Sequence, residues 1–407
     1  MCGLAARTQL ELPMVDGRME RQNHQPAMRV LTLTPFYPTA LDDADGCFIS
    51  EPLRAMEELE VKSLVLAVRP LHRKSAALNA SAPTAQSVQY PCIPGGAGLA
   101  SAGAFLYASL ISRVRRIHRS RRINLIHAHA ALPCGHAAVL LSRELNIPFV
   151  VSVHGLDAFF DNQVHGFYGR WCKRVAQHVY RSASRVICIS DKVAERVIEG
   201  TEAPVNAKVI YNGVDAQMFS PPASDLLPTT LLSVGNLISI KGHELLLRAL
   251  AAVLPQHPYV SCEIIGDGPE HGRLARLASD YNISGKVRFL GRQSRRYVAD
   301  AIRRCTLFAL PCRYEGLGCV YLEAMAAERA VIACRGQGID EIIRHGTNGW
   351  LTEPGNLDEL ITALSVLLQS PLLRHQIGEA ARRTIIQSLT LAHQVAELSA
   401  VYRECAA

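Results

Sequence analysis

The sequence predicts an α/β protein built of two doubly wound domains that face each other across a cleft. Three observations carry this. Short runs rich in Val, Ile and Leu, apolar on both faces, alternate with longer amphipathic stretches, as buried parallel strands alternate with covering helices. The alternation lapses once, over the proline- and turn-rich stretch NGVDAQMFSPPASDLLP at 212–228, and then restarts. A chain of 407 residues, 49% hydrophobic and 19% charged, is long enough to bury two separate cores.

In the first half, strands are expected at Val30–Leu33, Ser63–Val68, Leu125–His127, Phe149–Val153, Val186–Ile189 and Lys208–Ile210. Helices are expected at Phe48–Leu59, Ala102–His118, Gly135–Leu145 and Lys192–Glu199. In the second half the strands are Leu231–Val234, Cys262–Ile265, Val287–Leu290, Leu307–Leu310 and Ala330–Ala333. The helices there are Glu244–Leu254, Glu270–Asp280, Tyr297–Arg304 and Val320–Ala327, with a helical run from Asp358 onward. Residues 1–27 read as a disordered extension or an upstream start. Residues 28–214 form the first domain and 215–407 the second, its last helix a candidate to pack back on the first.

Bulk properties exclude several classes. A net charge of +7 permits an anionic ligand or membrane surface and demands neither. The twelve cysteines contain no C-x-x-C pair, which argues against a zinc cage and a dithiol redox site. Their scatter fits a reducing, cytoplasmic compartment rather than a disulfide framework. No segment reaches the roughly 18 apolar residues needed to span a bilayer.

The sharpest local pattern is Arg313-Tyr-Glu-Gly-Leu-Gly-Cys-Val-Tyr-Leu-Glu323, directly after an apolar strand. A strand, a glycine-containing turn and a helix make an anion site, because the first helical N–H groups have no partners within the helix. Gly316 and Gly318 remove side chains so that a diphosphate can approach the backbone. Glu315 lies just before the helix. Glu323, two turns in, is placed to accept hydrogen bonds from a vicinal diol such as ribose. A second glycine turn, Val234-Gly-Asn-Leu-Ile-Ser-Ile-Lys-Gly242, brings Lys241 as a point charge. It lacks the order of a P-loop. Ile265-Gly-Asp-Gly-Pro269 is a third such strand end.

On these residues the chain resembles glycosyltransferase family 4, retaining enzymes of the GT-B fold. The resemblance rests on E-G-x-G-x-x-x-x-E at 315–323 and V-G-x-x-x-x-x-K-G at 234–242. IGDGP and Tyr211–Phe219 match as well, and it runs from about Met28 to the C-terminus. It implies a nucleotide-sugar donor and no metal or cofactor. Lys241 would neutralise the diphosphate and Glu323 hold the ribose. Glu315 and the amides of Gly316, Leu317, Gly318, Cys319 and Val320 would meet the sugar and phosphates, with Gly235 and Gly266 beside them. One departure stands out. The family usually has arginine where this chain has Asn236, so one positive charge is missing, or an arginine such as Arg313 supplies it.

In the first half, His154 follows the strand FVVSV and is expected to project into the cleft, by resemblance close to the reacting carbon. Asp157 is an acceptor-side candidate or a helix N-cap. His127 and His129 share one strand face, toward or away from the cleft. Gly46 matches a turn that approaches the sugar phosphates in similar enzymes. Asp43-Ala-Asp45 is a D-x-D, the metal signature of a different glycosyltransferase fold, in a loop here. Arg113, Arg115, Arg116, Arg119, Arg121 and Arg122 cluster at a helix end. They read as a solvated face or as a patch for anionic lipid on the inner face of a membrane; no aromatic platform suggests nucleic acid.

The expected reaction is retaining transfer of a hexose from an NDP-sugar, with UDP or GDP as carrier, to a saccharide or lipid-linked acceptor hydroxyl. Polysaccharide, glycolipid or cell-envelope glycan synthesis is the expected setting. The alternatives are a non-catalytic nucleotide- or glycan-binding protein and a sugar-nucleotide epimerase of the same fold.

Overall fold

The structure is a computed structural model describing residues 27–73, 77–78, 85–155, 164–222 and 230–407. Its first-sheet strands are β1 Met28–Thr34, β2 Val61–Pro70, β3 Ala85–Tyr90, β4 Leu125–His129, β5 Phe149–Val153, β6 Arg185–Cys188 and β7 Ala207–Val209. Among the described residues they lie in the order β3-β2-β1-β4-β5-β6-β7, every pair parallel. The second sheet comprises β8 Thr230–Val234, β9 Ser261–Ile265, β10 Val287–Phe289, β11 Leu307–Ala309, β12 Ala330–Cys334 and β13 Trp350–Thr352. Its order is β10-β9-β8-β11-β12-β13, also parallel throughout. Both are doubly wound sheets, whose ligands sit outside the carboxyl strand ends where the order reverses.

The helices are α1 Cys47–Ala55, α2 Gly96–Arg121, α3 His136–Leu145, α4 Gly166–Ser182 and α5 Asp191–Thr201 in the first half. The second half contributes α6 His243–Val253, α7 His271–Asp280, α8 Arg295–Arg304, α9 Cys319–Ala326, α10 Leu357–Gln369, α11 Pro371–Ser388 and α12 Leu391–Ala406. The run after Asp358 is thus three helices. Ser370 caps α11 through Leu373 N–H with Pro371 at its first position, and Thr390 with His393 forms a capping box on α12.

Three elements escape the apolar-run criterion. β3 is an edge strand, AQSVQY, that buries only Val88 and Tyr90. β13 is three residues long. α4 buries a stripe of mostly small residues, Gly169, Cys172, Ala176 and Val179, under an exposed face of Phe167, Tyr168 and Trp171.

The last helix crosses back. Val395, Leu398, Val401 and Tyr402 of α12 share a core with Met28, Val30, Ile49, Leu53 and Met56. The first domain is therefore completed by a helix encoded about 180 residues beyond its last strand, closing over both α1 and β1. Residues 1–26 and the linker stretch 223–229 lie outside the described residues.

Polar contacts join the two domains around the cleft. Glu341 accepts from the Asp191 and Lys192 amides at 2.9 and 2.8 Å, capping α5 from the other domain. Ser190 Oγ donates to the Gly316 carbonyl at 2.7 Å. Asp42, Asp43 and Glu51 of the first domain meet Arg292 and Arg295 of the second.

Candidate donor site in the interdomain cleft

The second sheet reverses between β8 and β11, and the loops leaving those strands are pressed together by a glycine. Gly242 has φ +74°, and a Cβ there would stand 1.9 Å from the Pro311 carbonyl oxygen. No other residue type fits that approach without displacing a loop. The Arg313 amide donates to the Ile240 carbonyl at 2.8 Å and ties the same two loops. Lys241, one residue earlier, is thereby set against Glu315, with which it pairs. Burial works against its charge, but the Glu315 carboxylate outweighs this and lifts the Lys241 pKa above its ordinary value.

Gly318 then opens α9, whose first amides have no side-chain cap. A cavity of about 340 Å³ lies in front of them. From the second domain it is lined by Gly235, Asn236, Lys241, Arg295, Glu315, Gly318, Cys319, Val320 and Glu323. From the first it receives Ala44, Cys47, Phe48, His154, Ile189 and Asn212. Glu323 is only 4% exposed, and burial holds its carboxyl above the usual range although Arg295 pulls it the other way. Uncapped helix amides, one lysine and a buried carboxylate in one cavity can hold an anion attached to a diol.

Several expected residues are not on the cavity wall. Gly316 serves the domain contact instead: a Cβ there would lie 3.1 Å from both Gly155 Cα and the His154 carbonyl oxygen. Leu317 is fully buried in the core. Gly266 stands behind Gly235, where a Cβ would meet the Gly235 carbonyl at 1.9 Å. Gly46 lets the α1 turn pack on the Phe36–Tyr37 backbone. Each of these shapes the site from behind.

The histidines also divide. His154 reaches the cavity and is edged by Phe48, ring centroids 5.0 Å apart. His129 is behind it, with Nδ1 3.0 Å from His154 Nε2 and the rings stacked. His127 is buried deeper, its Nδ1 2.6 Å from Tyr402 Oη and its Nε2 2.7 Å from Ser152 Oγ. Neither His127 nor His129 lines this cavity; both line a smaller pocket beside it that shares His154, Phe48, Ile189 and Asn212. Asp157 lies outside the described residues.

Burial pushes the imidazoles down, to about 4 for His154 and about 3 for His127, and His129 falls well below its usual value. All three are neutral in the fold at pH 7. The unfolded chain protonates them near 6.5 while the folded chain resists, so stability is full above that pH and is lost progressively as pH falls toward 4. A urea midpoint flat above about pH 7 and falling from 6.5 to 4 is the expected result; replacing His127 by glutamine should flatten part of that slope.

Arg295 is the functional side chain that the motifs do not reveal. It opens α8, is 11% exposed, and pairs with Glu51 at 2.9 Å and Glu323 at 2.5 Å. Its guanidinium lies 4.7 Å from the Phe219 ring centroid. Arginine in a first helical turn opposes the helix dipole, and that mismatch was its one sequence signal. Arg313, the sequence-based candidate for extra charge, is exposed and its carbonyl accepts from Gln337. Asp43 accepts the Arg295 amide at 2.8 Å, so the D-x-D loop is engaged in domain contact. The arginines of α2 lie elsewhere: Arg29 at the start of β1 donates to the Arg121 carbonyl, at the amino-terminal ends of the first-sheet strands and away from the carboxyl ends that meet the cleft. Arg115 pairs there with Glu144. No described helix is long and apolar enough to cross a membrane.

Known proteins place this architecture. Residues 54–218 match the model of "Glycosyltransferase Family 4" and residues 216–384 that of "Glycosyl transferases group 1". An uncharacterized glycosyltransferase of Methanocaldococcus jannaschii is 31% identical over 266 residues, covering 65% of this chain and 71% of that protein. The alpha-D-kanosaminyltransferase of Streptomyces kanamyceticus is 27% identical, covering 74% and 83%. Among solved structures, sucrose-phosphate synthase from Thermosynechococcus elongatus superposes with a TM-score of 0.75 at 19% identity, over 92% of this chain and 98% of that one. Anabaena HepE in complex with UDP gives 0.72 at 21% identity, over 93% and 100%. The motifs, the paired sheets and these matches agree, and the chain belongs to glycosyltransferase family 4, a glycosyltransferase of the GT-B fold.

Proposed function

We propose that the enzyme moves a hexose from an NDP-sugar to an acceptor hydroxyl with retention of anomeric configuration, with the donor in the cavity between Lys241 and Glu323. The observation that carries this is the meeting of Lys241, the uncapped α9 amides and buried Glu323 at one switch point. Lys241 and the amides of Cys319 and Val320 hold the diphosphate, and Glu323 accepts from the ribose hydroxyls. A neighbour solved with UDP favours uridine as the base.

In the transfer step the C1–O bond to the diphosphate breaks and its electron pair leaves on the phosphate oxygen. The acceptor oxygen forms the new C1–O bond and gives up its proton. The cavity carboxylates, Glu315 and Glu323, are each ion-paired with a cation, which supports a route without a carboxylate nucleophile. The leaving phosphate then takes the acceptor proton on the same face. His154, neutral at pH 7, offers a hydrogen bond to the sugar rather than a charge. No metal or cofactor enters the scheme.

The acceptor reading is a saccharide or lipid-linked sugar of envelope glycan synthesis, made at the cytoplasmic face. Five exposed arginines, Arg115, Arg116, Arg119, Arg121 and Arg122, with Arg113 half-buried beside them, support docking on anionic lipid.

Calorimetric titration with UDP, GDP and ADP tests the donor site. Micromolar binding of one nucleotide, lost in Glu323→Ala, is expected, with UDP the tightest. If none of the three binds, the donor site is not where we assign it.

A further inference from the structure

Lys241 is outnumbered in its own cavity. The wall carries two cations, Lys241 and Arg295, and two carboxylates, Glu315 and Glu323, each cation already paired with one carboxylate. A diphosphate brings at least two further negative charges, and Asn236 at the β8 turn offers none in return. A ribose diol, meanwhile, takes both oxygens of one carboxylate, and Arg295 Nη1 occupies Oε1 of Glu323. Both requirements are met by one exchange of partners.

We propose that Arg295 is a second diphosphate ligand, stored in the ligand-free enzyme as the counter-ion of Glu323 and released to the phosphates when the ribose takes its place. This rests on the donor site proposed above and adds a residue to it.

The geometry suits the exchange. Glu51 of α1 holds Arg295 at Nε and Nη2, at 2.9 and 3.2 Å, while Glu323 holds Nη1. Losing Glu323 therefore leaves Arg295 anchored by its other edge, with Nη1 free toward the cavity. Cys319, the first residue of α9, and Val320 line the same cavity as Arg295, so the guanidinium faces the space in front of the uncapped amides. The Phe219 ring limits the swing by stacking under the guanidinium. Arginine suits the task because its planar fork can serve a carboxylate on one edge and a phosphate on another. Arg292, which reaches Asn236 Oδ1 at 3.3 Å, is more than half exposed and lies on the rim, where solvent screens it.

The opposite role is equally definite. If Arg295 only neutralises Glu323, it competes with the ribose, and removing it leaves nucleotide affinity unchanged or raises it. The test is calorimetry of UDP, UMP and inorganic pyrophosphate against the full chain and Arg295→Gln. Expected is a ten- to hundredfold weaker UDP, a comparable loss for pyrophosphate, and a smaller loss for UMP. Arg295→Gln/Asn236→Arg, which restores a cation at the β8 turn, should recover most of the UDP affinity. Where Arg295→Gln unfolds because Glu51 and Glu323 face each other unpaired, Arg295→Gln/Glu51→Gln relieves that repulsion and must show the same loss. UDP binding equal to or tighter than wild type in a folded variant overturns the proposal. Glu323→Ala read alongside separates the two ideas: if it loses UDP while Arg295→Gln keeps it, the donor site stands and the role of Arg295 falls. If the unaltered enzyme binds neither UDP nor pyrophosphate, both fall.

Discussion

Lys241→Ala is expected to lower the transfer rate by about two to three orders of magnitude, roughly 2.7–4 kcal/mol of transition-state stabilisation. The ammonium is 18% exposed, held by Glu315, and faces the cavity beside the α9 amides. Charge builds on the diphosphate as the anomeric bond stretches, and a fixed cation in a poorly solvated cavity gains most at that moment. The fall should therefore appear mainly in kcat, with a smaller rise in the Kd for UDP. The measurement is release of UDP from a UDP-sugar with a saturating acceptor. Glu315→Gln provides the contrast, because it frees Lys241 without removing its charge. An Ala variant that keeps its kcat and changes only KM would assign Lys241 to ground-state binding instead.

Tyr402→Ala is expected to cost about 3–5 kcal/mol of stability, the range for truncating a large buried aromatic side chain. Tyr402 is fully buried, stands edge-on to His127 with centroids 5.5 Å apart, and bonds its Nδ1. Truncation leaves both a cavity and an unpartnered imidazole nitrogen in the first-domain core. Tyr402→Phe, which keeps the ring and loses the hydroxyl, should cost about 1–2 kcal/mol. Urea unfolding of the full chain reads both. Equal midpoints for Tyr402→Ala and wild type would mean that α12 is not docked on the first domain in solution.

The two α/β domains and the second-domain loops were readable because their signals are local. Gly235, Lys241 and Gly242 occupy one turn, and Glu315, Gly318 and Glu323 one strand–turn–helix unit, so spacing along the chain already states their spacing in space. What was not readable depends on distant partners. Arg295 is buried only because Glu51 lies 244 residues away and Glu323 lies 28 away, on other elements. The sequence presents Gly316 as room for phosphate, while in the fold a Cβ there would meet Gly155 and the His154 carbonyl of the facing domain. His127 and His129 were correctly given one strand face, but which way it turned was decided by Tyr402 and His154. β3 was missed because an edge strand needs few apolar residues, and only Val88 and Tyr90 point inward. Packing between elements, not propensity within them, set each of these outcomes.

The return of α12 has a consequence for how the molecule is made. Residues 28–209 leave the ribosome with all seven first-sheet strands, but with the face of Val30, Ile49 and Met56 open to water. That face stays open until Tyr402 emerges, which at about 5–20 residues per second is on the order of tens of seconds later than β1. The second domain, whose strands and covering helices end at Ser388, is complete before the first. Synthesis thus reverses the order of the sequence: the domain translated first is finished last. During that interval its apolar face lacks the helix that covers it, and nonsense or frameshift changes after Ser388 would cripple the first domain while leaving the second intact.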